Sequence, residues 1–208
     1  MDVFNVLDDE GLLVGQLGDG VIGIHGRIPG HIRHIREQNI NFVGNPVRQE
    51  ITSFTHSSKS VTSTNKFKLL ILGGSQGSAQ LNSLVMDSLS EIKDKKNWEI
   101  VHQTGKADRE ELINFYKDLN INYKVESFIK NMGEVYSDSD LVISRAGAMT
   151  ISELLVTHTP SILLPLPWAT DDHQTSNAKY LESLGAARVL ESDKKSISAL
   201  ASLFLILF

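Results

Sequence analysis

Residues 69–82 read LLILGGSQGSAQLN: an apolar run, then Gly73, Gly74, Ser75, Gln76 and Gly77, then apolar residues at helical spacing. Glycines at the end of a strand let the backbone approach a ligand closely. A helix starting near Ser78 turns its free N–H groups and positive dipole end toward that loop. The combination suits a phosphate or diphosphate, and the glycines alone are equally compatible with a tight, ligand-free strand-to-helix turn. The pattern is G-G-x-x-G rather than G-x-G-x-x-G, and it has no Lys-Ser/Thr of a Walker A loop, which disfavours ATPase chemistry.

A second stretch, SRAGAMTISELL (residues 144–155), repeats the strand, small residues and helix. Thr150 and Glu153 stand at capping-box spacing, with Thr150 as cap and Glu153 reaching back. The alternative uses the helix N-terminus for a diphosphate and the Glu153 carboxylate for two vicinal ribose hydroxyls; spacing alone favours the cap. A third stretch, LPLPWATDDHQTSNAKYL (residues 164–181), places Asp171, Asp172, His173, Gln174 and Asn177 at a helix start. Two Asp and a His suggest a metal. Asp is also favoured there by capping and dipole, and no second cluster completes a ligand set, so metal is the weaker reading. Gln174, with donor and acceptor on one amide, fits sugar hydroxyls. Arg48 in NFVGNPVRQEI is a phosphate clamp or a solvated charge. His102 in VHQTG is equally well a packed histidine or a functional one. No G-x-S-x-G elbow occurs.

These stretches need elements that bring them to one edge. From Lys66 onward, apolar runs bounded by glycine or proline alternate with segments of helical period, such as Leu81, Leu84, Val85 and Leu89. Alternation with short loops predicts a parallel sheet of about six strands with helices on both faces, a Rossmann-like doubly wound α/β domain. Ligands of such sheets bind at the carboxyl ends of the strands, where the three stretches fall. Residues 1–44 hold eight of the fifteen glycines and no sustained period. They read as an irregular N-terminal segment with one short strand at 21–24 and a short helix after Gly30. Residues 45–65 read as a junction and linker, with nine Ser/Thr in the fourteen positions 52–65.

The chain has 208 residues, 41% of them hydrophobic and 22% charged, and a net charge of −5. That balance argues against nucleic-acid binding through a broad basic surface. There are no cysteines, which excludes disulfides, thiolate metal sites and cysteine nucleophiles. The acidic N-terminus lacks the features of a secretory signal. The most apolar stretch, ALASLFLILF, has ten residues, against the roughly 20 of a membrane span.

VGNPVR, LGGSQGSAQLN, HQTG, FIKNM, SRAGAMTISEL and DDHQTSNAKYLESLGAA together, over residues 41–192, resemble in order and spacing the C-terminal, donor-binding half of MurG-type UDP-N-acetylglucosamine (UDP-GlcNAc) transferases, glycosyltransferase family 28. The resemblance implies the C-terminal half of a GT-B fold. It implies inverting transfer of GlcNAc from UDP-GlcNAc to a lipid-diphosphate-linked acceptor, undecaprenyl-diphosphate-MurNAc-pentapeptide, for peptidoglycan synthesis, with no cofactor and no obligatory metal. Arg48 and Ser75 would lie near the donor diphosphate, and Gln76 would also bind UDP-GlcNAc. Ile129 would hold the uracil through its backbone. Ala148, Met149 and Thr150 would present the helix N-terminus to the phosphates. Glu153 would take the ribose in place of the cap, and Gln174 the GlcNAc. His173 stands where relatives often carry Gln, and no residue is assigned as catalytic base. The glycines of the 73–77 loop would clear space for the nucleotide sugar.

The family's N-terminal half, with its lipid-acceptor loops, has no convincing counterpart before residue 41. The chain also stops where closing helices are expected, leaving the apolar end of the domain spanning 66–208 to pack back or meet a partner. The expected partners are therefore UDP-GlcNAc and a lipid-linked acceptor brought by a missing or separate N-terminal domain. A partner subunit is a further expectation, as in the split eukaryotic relative that builds dolichol-linked chitobiose. The expected location is cytoplasmic, with peripheral placement on the inner face of the membrane. Two other classes stand beside this one: a nucleotide-sugar 2-epimerase, for which the sequence offers no acid–base pair, and a non-catalytic UDP-sugar-binding chain.

Overall fold

The computed structural model describes residues 3–7, 13–17 and 20–22 as backbone only, and 47–54, 66–74, 77–105, 109–166, 172–193 and 195–207. Near the N-terminus, β1 (Val3–Leu7), β2 (Leu13–Leu17) and β3 (Gly20–Ile22) pair as an antiparallel meander. Sequence periodicity gives only one strand there: Gly15 interrupts the alternation in β2, and VFNVL in β1 is too short a run to stand out. The expected helix after Gly30 and positions 55–65 of the expected linker lie outside the described residues. Within the expected 45–65 junction and linker, residues Gln49–Phe54 form a helix with Ile51 buried, which corrects the expectation of a surface loop at 52–54.

The main sheet is built from β4 (Phe67–Leu72), β5 (Trp98–Gln103), β6 (Asn122–Glu126), β7 (Leu141–Ser144), β8 (Ser161–Leu163) and β9 (Ala187–Val189). All its pairings are parallel, and the order is β6-β5-β4-β7-β8-β9. The chain starts in the middle, moves to one edge, crosses back and moves to the other. The switch point lies between β4 and β7, where Leu72 pairs with Ser144.

Helices α2 (Ala79–Glu91), α3 (Arg109–Asp118) and α7 (Lys195–Leu207) cover one face. Their core holds Leu69, Ile71, Ile100, Leu89, Leu112 and Tyr116. Trp98 is packed edge-on by Phe67 at 5.0 Å and by Phe204 of α7 at 5.1 Å, so the apolar C-terminal helix folds back onto the sheet through Leu200 and Phe204. The other face carries α1 (Gln49–Phe54), α4 (Met132–Asp138), α5 (Ala148–Thr157) and α6 (His173–Ser183), with Ile51, Leu70, Tyr136, Val142, Ile151 and Leu181 between them.

Cover on this second face is incomplete, which departs from the expectation of helices over both faces. Glu99 and Val101 of β5 and Lys124 and Glu126 of β6 form, with α4, an open groove of about 520 Å³. Its charges answer each other: Lys68 Nζ meets Asp138 at 2.5 Å and Lys124 meets Glu126 at 2.8 Å. Burial of these strands therefore alternates, with Trp98, Ile100 and His102 inside and Glu99 and Val101 only half-buried. The groove is a solvated sheet face, not an apolar pocket.

Candidate functional site

The loops leaving β4 and β7 flank the switch point. Ser78 caps α2, its Oγ accepting from Leu81 N–H at 3.3 Å, as the helix start near Ser78 predicts. Two of the glycines before it are required by the protein's own packing. A Cβ on Gly73 would lie 3.0 Å from the Gln103 carbonyl oxygen. One on Gly77, which has φ +84°, would lie 2.3 Å from that of Thr104. Only Gly74, at φ +81°, faces open space. Ser75 and Gln76 lie outside the described residues.

His102 ends inside the same corner, fully buried, and is a packed histidine. Asn82 Oδ1 accepts from Nε2 at 3.0 Å, which leaves Nδ1 to accept the Tyr116 O–H at 2.8 Å. Burial pushes its proton affinity down, to a pKa of about 3, and pushes the Tyr116 phenol up. Neither is a general acid or base near neutrality.

Helix α5 begins at Ala148 with Gly147 as its N-cap and no side-chain cap. The Thr150–Glu153 capping box does not form. Glu153 is one turn too deep, and its carboxylate is held elsewhere. Arg48 Nε and Nη2 donate to Oε1 at 3.1 and 2.8 Å, and the Tyr136 hydroxyl donates to Oε2 at 3.0 Å. The Glu153 side chain is 7% exposed and that of Arg48 33%. Arg48 stands at the start of α1, its carbonyl accepting from Ile51 N–H, and Ile51 fixes α1 in the core against α4 and α5. Tyr136 is fully buried in α4. Burial first, then the Glu153 charge and the bond to it, raise its pKa well above the usual phenol value, so it remains a donor. Three elements distant in sequence thus converge on one carboxylate.

Ile129 is buried, and its backbone N–H donates to Gln103 Oε1 at 3.0 Å, while the preceding Phe128 is 55% exposed. Met149 in the first turn of α5 is 45% exposed; Ala148 and Thr150 are half-buried. Gln174 Oε1 accepts from Leu166 N–H at 3.0 Å, and its amide NH₂ meets no acceptor among the described residues. The buried Asn177 ties α6 to the β7–α5 loop by donating to Ala146 O at 3.2 Å. Asp172 occupies the N-cap position of α6 at φ +53° but makes no side-chain cap, against the capping expectation. Asp171 lies outside the described residues.

Sequence reasoning missed Arg145. It follows β7 and donates to Ser78 Oγ at 2.9 Å from Nη2, to Gln80 Oε1 at 3.1 Å, to Leu164 O at 2.9 Å, to Pro165 O at 3.3 Å and to Ser192 Oγ. Burial lowers its pKa. It fastens the start of α2, the exit of β8 and the loop before α7 together. An arginine directly after a strand end in a glycine-alanine loop was the available signal.

The sequence model of the glycosyltransferase family 28 C-terminal domain matches residues 68–207. The chain belongs to that family. A protein of Nitrosospira multiformis is 40% identical over 168 residues, 80% of this chain and 47% of its own length. One of Pseudomonas syringae is 44% identical over 147 residues, 71% of this chain and 41% of its own. Both are named UDP-N-acetylglucosamine–N-acetylmuramyl-(pentapeptide) pyrophosphoryl-undecaprenol N-acetylglucosamine transferase. The chain therefore spans about half the length of the curated relatives it matches. Among solved structures, Acinetobacter baumannii MurG superposes with a TM-score of 0.65 at 30% identity, over 81% of this chain and 48% of that one. The kitacinnamycin glycotransferase superposes at 0.56 with 22% identity, over 83% and 42%, a likeness of fold. The Rossmann-like sheet is thus the family 28 C-terminal-domain fold of GT-B glycosyltransferases. Among the described residues no helix is long and apolar enough to cross a membrane.

Proposed function

We propose that this chain supplies the donor site of a UDP-GlcNAc transferase that acts on undecaprenyl-diphosphate-MurNAc-pentapeptide. The observation that carries this reading is the buried Glu153 carboxylate in the second turn of α5, the helix that leaves β7 at the switch point of a family 28 sheet. A carboxylate there suits a ribose diol, and the start of α5 suits the diphosphate. In this reading Arg48 and Ser75 meet the diphosphate with Ala148, Met149 and Thr150, Gln76 also binds UDP-GlcNAc, Ile129 holds uracil through its backbone, and the Gln174 NH₂ donates to GlcNAc hydroxyls.

The acceptor hydroxyl attacks the anomeric carbon, the bond to the UDP oxygen breaks, and a base takes the hydroxyl proton. Charge growing on the leaving diphosphate is offset by the dipole of α5 and by Arg48. The acceptor and the base belong to the half of the relatives that this chain does not match, carried by a further domain or a partner subunit. Residues 66–208 together with Arg48 and α1 would then form the nucleotide-sugar domain and the rest of 45–65 the junction to the acceptor side, with the assembly peripheral on the cytoplasmic face of the membrane.

Calorimetric titration of the chain with UDP, UDP-GlcNAc and UDP-glucose tests the reading. Saturable binding that favours UDP-GlcNAc is expected. A folded chain that binds none of the three refutes it.

A further inference from the structure

We propose that Tyr136 is a positioning residue for the nucleotide, holding the Glu153 carboxylate in the orientation that receives the ribose. The inference rests on the donor-site reading above and adds a residue to it.

Tyr136 sits in the middle of α4 among Ile51, Leu70, Met132 and Ile151, with no exposed surface. Packing alone would be satisfied by phenylalanine. The hydroxyl adds a buried polar atom that requires a partner, and the partner is Glu153 Oε2 at 3.0 Å. An ionised carboxylate has about four acceptor positions. The two N–H groups of Arg48 use those of Oε1, and Tyr136 uses one at Oε2, so a single position stays open. Arg48 is partly solvated and directly precedes a short helix, whereas Tyr136 is locked in the core. The phenol is therefore the fixed member of the cluster, and the guanidinium is the one a ligand can displace. A glutamate side chain has several rotatable bonds, and ordering them on binding costs affinity. The bond to Tyr136 meets that cost before the ligand arrives.

A purely structural tyrosine and a positioning one differ in which ligand atoms feel the change. Tyr136→Phe keeps the ring and removes the hydroxyl. It is titrated, in the full chain, with UDP and with a UDP analogue lacking both ribose hydroxyls, alongside its melting temperature and the variant Glu153→Gln. The wild type should bind UDP more tightly than the analogue, and Glu153→Gln should remove most of that preference. Tyr136→Phe should weaken UDP by about 3- to 10-fold, the effect of one hydrogen bond, and leave the analogue unchanged. Equal weakening of both ligands, no weakening of either, or loss of cooperative melting assigns the hydroxyl to folding and overturns the inference. If Glu153→Gln lowers the preference and Tyr136→Phe does not, the donor-site reading stands and only the role of Tyr136 falls. If the wild type shows no preference, the ribose role of Glu153 falls first.

Discussion

Arg48 donates twice to one oxygen of Glu153, from Nε at 3.1 Å and Nη2 at 2.8 Å, across 105 positions of sequence. In the donor-site reading these two residues serve different parts of the ligand, diphosphate and ribose. Without ligand each neutralises the other. The pair has to part for Oε1 to accept a ribose hydroxyl, and a diphosphate gives Arg48 a replacement partner. Uridine offers none. Arg48→Met should therefore lower the ratio of UDP to uridine affinity by about 10-fold or more, the worth of a charge-assisted contact. Competition titrations check this, and an unchanged ratio would place Arg48 in the fold alone. A double-mutant cycle with Glu153→Gln in denaturant unfolding should show coupling of about 1 kcal/mol, small because the guanidinium is a third exposed.

His102 makes acid stability a second test. Its pKa is lowered from 6.5 to about 3 by burial. Above the unfolded value the ring is neutral in both states and contributes no pH dependence. Between 6.5 and about 3 the unfolded chain takes up a proton that the native chain refuses, so stability falls with falling pH, by up to about 1.4 kcal/mol per pH unit. His102→Gln removes this proton. Its unfolding free energy should decline less steeply than that of the wild type below neutrality, by about one proton's worth of slope. Identical slopes would mean that the ring titrates in the native state.

The sheet was legible because buried parallel strands read as apolar runs and their helices keep a 3.6-residue period. Six strands, their order of occurrence and the start of α2 at Ser78 follow from that. The half-solvated faces of β5 and β6 were less legible, since Glu99 and Lys124 in a strand look like ordinary alternation until the topology shows which face lacks a helix. The site was legible as a set of motifs and not as contacts. Thr150 and Glu153 have capping-box spacing, and nothing local reveals that Arg48 and Tyr136 claim the carboxylate, because those bonds span 105 and 17 positions. Arg145 escaped for the same reason. Its five partners come from the start of α2 and from loops that only the fold brings together.

The glycines of the 73–77 loop should differ sharply when replaced. Gly74 and Gly77 both have positive φ, where a side chain costs about 1–2 kcal/mol. At Gly74 that strain is the whole cost, since a Cβ meets nothing within 4 Å. At Gly77 a Cβ would press to 2.3 Å against the Thr104 carbonyl, backbone that cannot swing aside. Gly74→Ala should lose about 1 kcal/mol and Gly77→Ala at least about 3. Thermal unfolding checks the order. Equal losses would show that the exit of β5 gives way.

Arg145 separates geometry from charge. Its guanidinium spends its donors on neutral oxygens from residues 78, 80, 164, 165 and 192, and none of these contacts is an ion pair. A lysine keeps the charge but has three donors on a single nitrogen, which cannot reach Ser78 and Ser192 on opposite sides of the fork. Arg145→Lys should therefore lose nearly as much stability as Arg145→Met, about 1–2 kcal/mol in each case, since the buried Leu164 carbonyl loses its donor and the ties to Ser78 and Ser192 go with it. If the lysine variant instead melts like the wild type, the charge beside the start of α2 matters and the fork does not. Denaturant midpoints of the two variants, read side by side, decide between them.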